Sequence, residues 1–199
     1  MMKSVKEFTE SRIVIEKSEF ISFIYPITSS DEAKEIIKNT RKEFYDATHV
    51  VYAYVLDNEA HSSDDNEPKG TAGVPTLEVL RKNDLVNVLG ITIRYFGGIK
   101  LGAGGLVRAY TKSISECLKN APIIYERMVI TFDIVFSYKH LSFIEKKIKD
   151  ALEISKDFSD NIKFTISMTT EDYQKFIESL SPLSMNYSIE NEIIERKFL

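Results

Sequence analysis

Two glycine-rich segments in the first half of the chain, residues 64–73 and 94–108, bring together the residue types best suited to chemistry. In the second, a strand carrying Arg94 runs into Gly97, Gly98, Gly102, Gly104 and Gly105, after which a helix begins. Glycines let the backbone curl and present its N–H groups, and a helix N-terminus adds partial positive charge, so the segment suits an anion. Lys100 and Arg108 add full charges. Arg108, read as lying in the first helical turn, opposes the helix dipole and calls for an anion nearby. The first segment places Asp64, Asp65 and Glu67 beside Gly70, Thr71 and Gly73. Two arrangements remain open. The carboxylates can dock onto Arg94 and Arg108 and lock the domain, or the segments can frame a groove for a phosphate-bearing ligand, with carboxylates available to a hard cation such as Mg²⁺.

Other reactive residue types give weaker signals. His49, at a strand start, suits a hydrogen-bonded structural role better than that of a general base, and His61 reads as solvated. Ser62, Ser63 and Thr71 lack a G-x-S-x-G context, and no catalytic triad is recognisable. The chain has no G-x-x-x-x-G-K-[ST] motif, and Val107 stands where a dinucleotide fingerprint needs Gly or Ala. The reading therefore leans away from an enzyme, and no cofactor or metal ligand set follows from it.

Bulk properties narrow the classes further. Residues 1–125 hold 16 basic and 17 acidic side chains and the remainder 10 and 13, so any polyanion site must be a local patch. Cys117 is the only cysteine, which excludes an intrachain disulfide and a thiolate zinc site. Its place on the apolar face of a helix suits a small core residue. No stretch approaches the ~20 apolar residues of a membrane span, and the N-terminus lacks an apolar leader core, so the expected setting is the cytoplasm, with no membrane partner.

The elements that must position these loops follow from periodicity. Residues 8–15 and 20–27 read as strands around the turn 16–19. Ser29-Ser30-Asp31-Glu32 forms a capping box before a helix with Ala33, Ile36, Ile37, Thr40 and Phe44 at helical spacing. A covered strand is expected at 49–56, then a long polar loop over 57–73, then a short helix with Pro75 in its first turn and Leu77 and Leu80 inward. In the strand 86–96, Val88, Gly90, Thr92 and Arg94 share one face, and Gly90 marks a close approach. The helix after the glycine loop is expected to bury Val107, Tyr110, Ile114, Cys117 and Leu118. Beyond Ala121-Pro122 comes an alternating strand, 128–136, and a helix bearing Leu141, Ile144, Ile148 and Leu152. Strands near 153–158 and 162–169, a helix with Tyr173, Phe176, Ile177 and Leu180, and a strand over 186–198 complete a β-α-β-β-α-β order, the ferredoxin-like arrangement.

The motifs DDNEPKGTAGVP and RYFGGIKLGAGGLVRAY resemble the signature of the YigZ/IMPACT family, and the resemblance covers essentially the whole chain. It implies an α+β protein of two domains. Residues 1–125 would form an Impact-type domain with the left-handed β-α-β topology of a small-subunit ribosomal protein domain, and residues 126–199 a ferredoxin-like domain similar to domain V of elongation factor G. The family pattern maps onto Asp64, Asp65, Glu67, Gly70, Thr71, Arg94, Gly97, Gly98, Lys100, Gly102, Gly104, Gly105, Arg108 and Tyr110, and His49 matches a common family histidine. Asn66 replaces a usual glycine and still tolerates a left-handed backbone. Eukaryotic relatives restrain activation of the initiation-factor-2 kinase through a scaffold protein. The resemblance thus implies a translation- or RNA-associated regulator, with RNA, the ribosome or a protein as partner. The alternative is an enzyme or sensor acting on a phosphorylated small molecule, with Mg²⁺ as a candidate cofactor.

Overall fold

The structure, a computed structural model, describes residues 2–180 and 187–199. The chain forms two compact units, Met1–Tyr125 and Glu126–Leu199. In the first, strand β1 (Lys3–Val5) pairs antiparallel with residues 123–125, the start of a long strand. Strands β2 (Thr9–Ile15) and β3 (Ser18–Pro26) form a hairpin whose turn is only Glu16-Lys17. Both turn residues have positive φ, 46° and 63°, the backbone a two-residue hairpin needs to follow the strand twist. The four-residue turn expected at 16–19 is thus shorter, and Ser18 is a buried strand residue.

Helix α1 (Ser30–Glu43) starts at the capping box: the Glu32 N–H donates to the Ser29 Oγ at 3.2 Å, while the Glu32 carboxylate accepts from the N–H and hydroxyl of Thr28. Ala33, Ile37 and Thr40 face the sheet. Strand β4 (His49–Val55) follows. The expected polar loop contains a short edge strand, β5 (Ala60–Ser63), antiparallel to β4. Four residues, three of them polar, show no alternation to read, and the strand exists because β4 offers it a partner. Helix α2 (Gly73–Lys82), with Pro75 in its first turn, leads to strand β6 (Val88–Tyr95). The sheet order is β2-β3-β6-β4-β5. Because β6 lies antiparallel to both β3 and β4, those two are parallel, and β3–α1–β4 is a β-α-β unit split by β6.

Helix α3 (Gly102–Asn120) packs on the sheet face opposite α1. Its buried row is Leu106, Ala109, Tyr110, Ser113, Ile114 and Cys117, while Val107, expected inside, is 37% exposed. The row is turned because the small Ala109 and Ser113 lie against the sheet. Ser113 joins a buried hydroxyl trio with Ser22 (2.7 Å) and, through it, Thr92 (2.9 Å). At Gly90 an added Cβ would meet Ile114 Cδ1 at 3.0 Å, which accounts for the glycine. Cys117 is fully buried, its Sγ 3.3 Å from the carbonyls of Thr9 and Ser22, and burial pushes its pKa up to about 11.

The second unit is ferredoxin-like. Strand β7 (Ile123–Phe136), a 3₁₀ turn, helix α4 (Leu141–Lys147), strands β8 (Glu153–Phe158) and β9 (Ile162–Thr169), helix α5 (Thr170–Leu180) and strand β10 (Tyr187–Phe198) give the sheet order β8-β9-β7-β10. Ile130, Phe132, Ile134 and Phe136 face a core shared with Ile144, Ile148, Phe176 and Leu180. Leu152, expected on the helix, is 42% exposed: α4 stops at Lys147, and the Leu152 N–H already donates to the Ser167 carbonyl at the entry to β8. Of the strand expected over 186–198, Asn186 lies outside the described residues. The class is α+β, as expected.

Candidate functional site

Strand register brings the central residues together. Arg94 on β6 pairs directly with His49 on β4 and with Phe20 on β3, and directly opposed residues project to the same sheet face. That face lies under α3. Arg94 is 5% exposed, so its charge needs a buried partner. Glu67 supplies it: Arg94 Nη1 donates to Glu67 Oε1 at 2.6 Å, and Nη2 reaches the Ser18 Oγ at 3.4 Å. The guanidinium carbon lies 5.4 Å from the Phe20 ring centroid and 5.6 Å from that of Phe96. Arg94 Nε is buried without a hydrogen-bond partner. The Tyr110 hydroxyl donates to the same Glu67 oxygen at 2.8 Å. Burial first, and then the Glu67 charge, hold the Tyr110 pKa far above its ordinary value, so it remains a donor.

His49 faces this group. Its Nδ1 lies 2.8 Å from the Asp65 carbonyl oxygen, which can only accept, so Nδ1 carries the proton. In the neutral ring, Nε2 is then an acceptor, 3.7 Å from Glu67 Oε1.

The acidic segment is tied down one carboxylate at a time. Asp64 Oδ1 accepts from the N–H groups of Ala72 (3.0 Å) and Gly73 (2.8 Å), and Oδ2 from that of Gly70 (2.7 Å). It thereby covers the N-terminus of α2. Burial raises the Asp64 pKa, but the Gly70, Gly73 and Ala72 N–H donors outweigh it and hold the carboxyl below its ordinary value. Asp65 Oδ1 accepts from Arg41 Nη2 and Oδ2 from the Val50 N–H, both at 2.6 Å. The turn uses left-handed backbone at Asp65, Asn66 and Gly70, so Asn66 adopts the conformation expected of it (φ 68°). The buried Thr71 hydroxyl donates to the Pro68 carbonyl at 2.6 Å. Of the docking expected onto Arg94 and Arg108, one contact exists, Glu67 to Arg94. Asp65 instead meets Arg41, a residue the sequence had not singled out. The carboxylates expected to be available to Mg²⁺ already accept from protein donors, and no group of three or more His, Cys, Asp or Glu among the described residues is arranged to hold a metal ion.

The second glycine segment differs. The Gly97 N–H donates to the Ser18 Oγ at 3.2 Å, and any Cβ there would strike the Lys17 backbone. Gly98 and Gly102 have φ of 85° and 67°, where side chains are strained. Beyond them α3 begins with no side-chain cap and no acidic residue in its first turn, and Gly102, Ala103 and Gly104 are exposed. Gly105 packs against Leu101, whose Cβ would sit 2.9 Å from an added one. Arg108 is exposed in the second turn, where the dipole has largely faded, so its position does not itself demand an anion.

Between the two segments lies a cleft of ≈ 280 Å³. His49, Glu67 and Arg94 line it together with Phe96, Lys100, Leu101, Gly102 and Leu106. Arg108 opens onto a separate groove that Lys100 and Leu101 also line. Sequence reasoning missed Ser18 and also Thr48, whose hydroxyl accepts from the Phe96 N–H at 3.0 Å. The inward phase of Arg94 on its strand was the available signal, since a buried arginine requires an acceptor set around it.

Comparison with known proteins finds relatives that match both units. The chain is 39% identical over 186 residues to the IMPACT family member YvyE of Bacillus subtilis, covering 91% of this chain and 86% of that one. It is 29% identical over 177 residues to the IMPACT family member YigZ of Escherichia coli, covering 85% and 87%. A crystal structure described as that of a hypothetical protein is similar with a TM-score of 0.61 and 26% identity, over 94% of this chain and 95% of that one. No helix among the described residues is long and apolar enough to cross a membrane. The Impact N-terminal domain matches residues 16–118, the stretch that holds both glycine segments, and the chain belongs to the IMPACT family.

Proposed function

We propose that this chain is a cytoplasmic, translation- or RNA-associated factor whose first unit, residues 1–125, binds phosphate at the open N-terminus of α3, and whose second unit, residues 126–199, serves an RNA or protein partner. The observation that carries the reading is the contrast among helix starts. The N-termini of α1 and α2 are covered by Ser29 and Asp64, whereas that of α3 presents uncapped glycine N–H groups. Lys100 and Arg108 flank it, and neither forms an ion pair among the described residues. The adjoining cleft is lined by Lys100 and Gly102 from this edge and by Arg94, whose covered Nε has no hydrogen-bond partner.

Filter binding of single-stranded RNA at graded salt tests this. Binding at low salt is expected, and Lys100→Ala and Arg108→Ala should each weaken it and reduce the salt slope by about 1. No binding at low salt, or binding indifferent to both substitutions, overturns the reading. Arg94→Ala is a poor probe, because it strands Glu67.

A second reading, an enzyme or sensor for a phosphorylated small molecule, draws on His49 Nε2 facing a cleft of ≈ 280 Å³. A thermal-shift screen of nucleotides and sugar phosphates, with and without Mg²⁺, should then find a stabilising ligand that His49→Ala abolishes.

A further inference from the structure

We propose that the cleft beside α3 receives one unstacked nucleobase, so that the site takes a single nucleotide of a single strand and not only its phosphate. This inference rests on the phosphate reading above. The cleft's shape asks for more than an anion. Phosphate contact needs only N–H groups and cations at the surface, yet here the same residues, Lys100 and Gly102, border a cleft with Phe96, Leu101 and Leu106 in its walls. A ligand that fits both parts has a flat apolar body joined to a phosphate. At ≈ 280 Å³ the cleft has room for one such body.

Phe96 is 46% exposed although Arg94 stacks near it, and an exposed aromatic ring beside a phosphate contact is the platform on which single-stranded bases stack. The cleft is also equipped to meet a base edge. His49, which lines the cleft, gives its Nδ1 proton to the Asp65 carbonyl, so its Nε2 is an acceptor when the ring is neutral. A base brings exocyclic amino groups that answer it. Duplex nucleic acid, whose bases are stacked away, offers the site phosphates alone.

The test compares, by fluorescence anisotropy on the full chain, a short single-stranded oligoribonucleotide with an abasic strand of the same length. The intact strand is expected to bind about tenfold more tightly. Phe96→Ala should lower its affinity to that of the abasic strand and leave the abasic strand unchanged, while Phe96→Tyr retains the difference. Lys100→Ala should weaken both strands. Equal affinity of the two strands for the wild-type chain, or an equal loss of both in Phe96→Ala, overturns the nucleobase inference while leaving phosphate binding intact. Failure of both strands to bind overturns the phosphate reading and this inference with it.

Discussion

Helices α2 and α3 both start from glycine-rich loops on the same unit, and they treat their leading N–H groups in opposite ways. Ahead of α2, Asp64 folds back and accepts from three backbone donors, so the loop supplies its own anion. Ahead of α3, no carboxylate enters the first turn, and the cations that flank it stay unpaired among the described residues. Similar composition therefore produces a closed turn in one case and an open anion-binding edge in the other. What separates them is whether the local sequence contains an acid able to reach the amides. Residues 64–67 hold three acids, and residues 97–108 hold none.

The strongest way to break this comparison is to attack the closed side at its buried pair. Glu67→Ala leaves the Arg94 guanidinium uncompensated between two rings and should destabilise the first unit by about 4 kcal/mol in urea denaturation. Adding Arg94→Met should recover much of that loss, since a buried pair replaced by apolar groups is often neutral. A cost under about 1 kcal/mol would show that water already reaches the pair.

Asp64→Ala sharpens the comparison by making α2 resemble α3. Losing a charged acceptor for three N–H groups should cost about 2 kcal/mol. The same bond gives a pH dependence. The folded carboxyl is held below its ordinary value of 3.8, so its contribution is complete above that value and is lost as pH falls through the lowered one. A melting-temperature profile in acid should therefore be flatter for Asp64→Ala than for the wild-type chain over that window.

The smallest effect belongs to Gly104, whose added Cβ would meet only Arg108 Nη1, at 3.5 Å, and whose φ is not positive. Gly104→Ala should stabilise α3 by about 0.5 kcal/mol. If a phosphate approaches this backbone closely, the same substitution weakens RNA binding while raising the melting temperature. Unchanged binding would move the contact away from Gly104.

Much of this was legible in the residues themselves. The strand phase of Arg94, the capping box at Ser29 and the alternation of Ile130, Phe132, Ile134 and Phe136 are local signals, and the structure keeps them. The losses are tertiary. The edge strand β5 is called into being by β4, the turned face of α3 depends on Ser113 meeting Ser22, and Leu152 leaves its helical phase because a β8 hydrogen bond captures its N–H. At the site, the expected contact of Glu67 with Arg94 forms, while Asp64 and Asp65 take partners that spacing did not indicate. Which carboxylate reaches which cation depends on strand register and on Arg41 arriving from α1, neither of which has a period to read.

Cys117 gives the first unit a built-in clock. With a pKa near 11, only on the order of one thiol in ten thousand is ionised at pH 7, and that sulfur has no route to solvent in the folded state. An alkylating reagent can therefore reach it only in molecules whose α3 has lifted from the sheet. As this is the chain's single cysteine, the rate at which mass is added reports how much of the chain is open at α3, without an engineered residue. A ligand seated at the other end of the same helix would slow that clock in proportion to how firmly it is held.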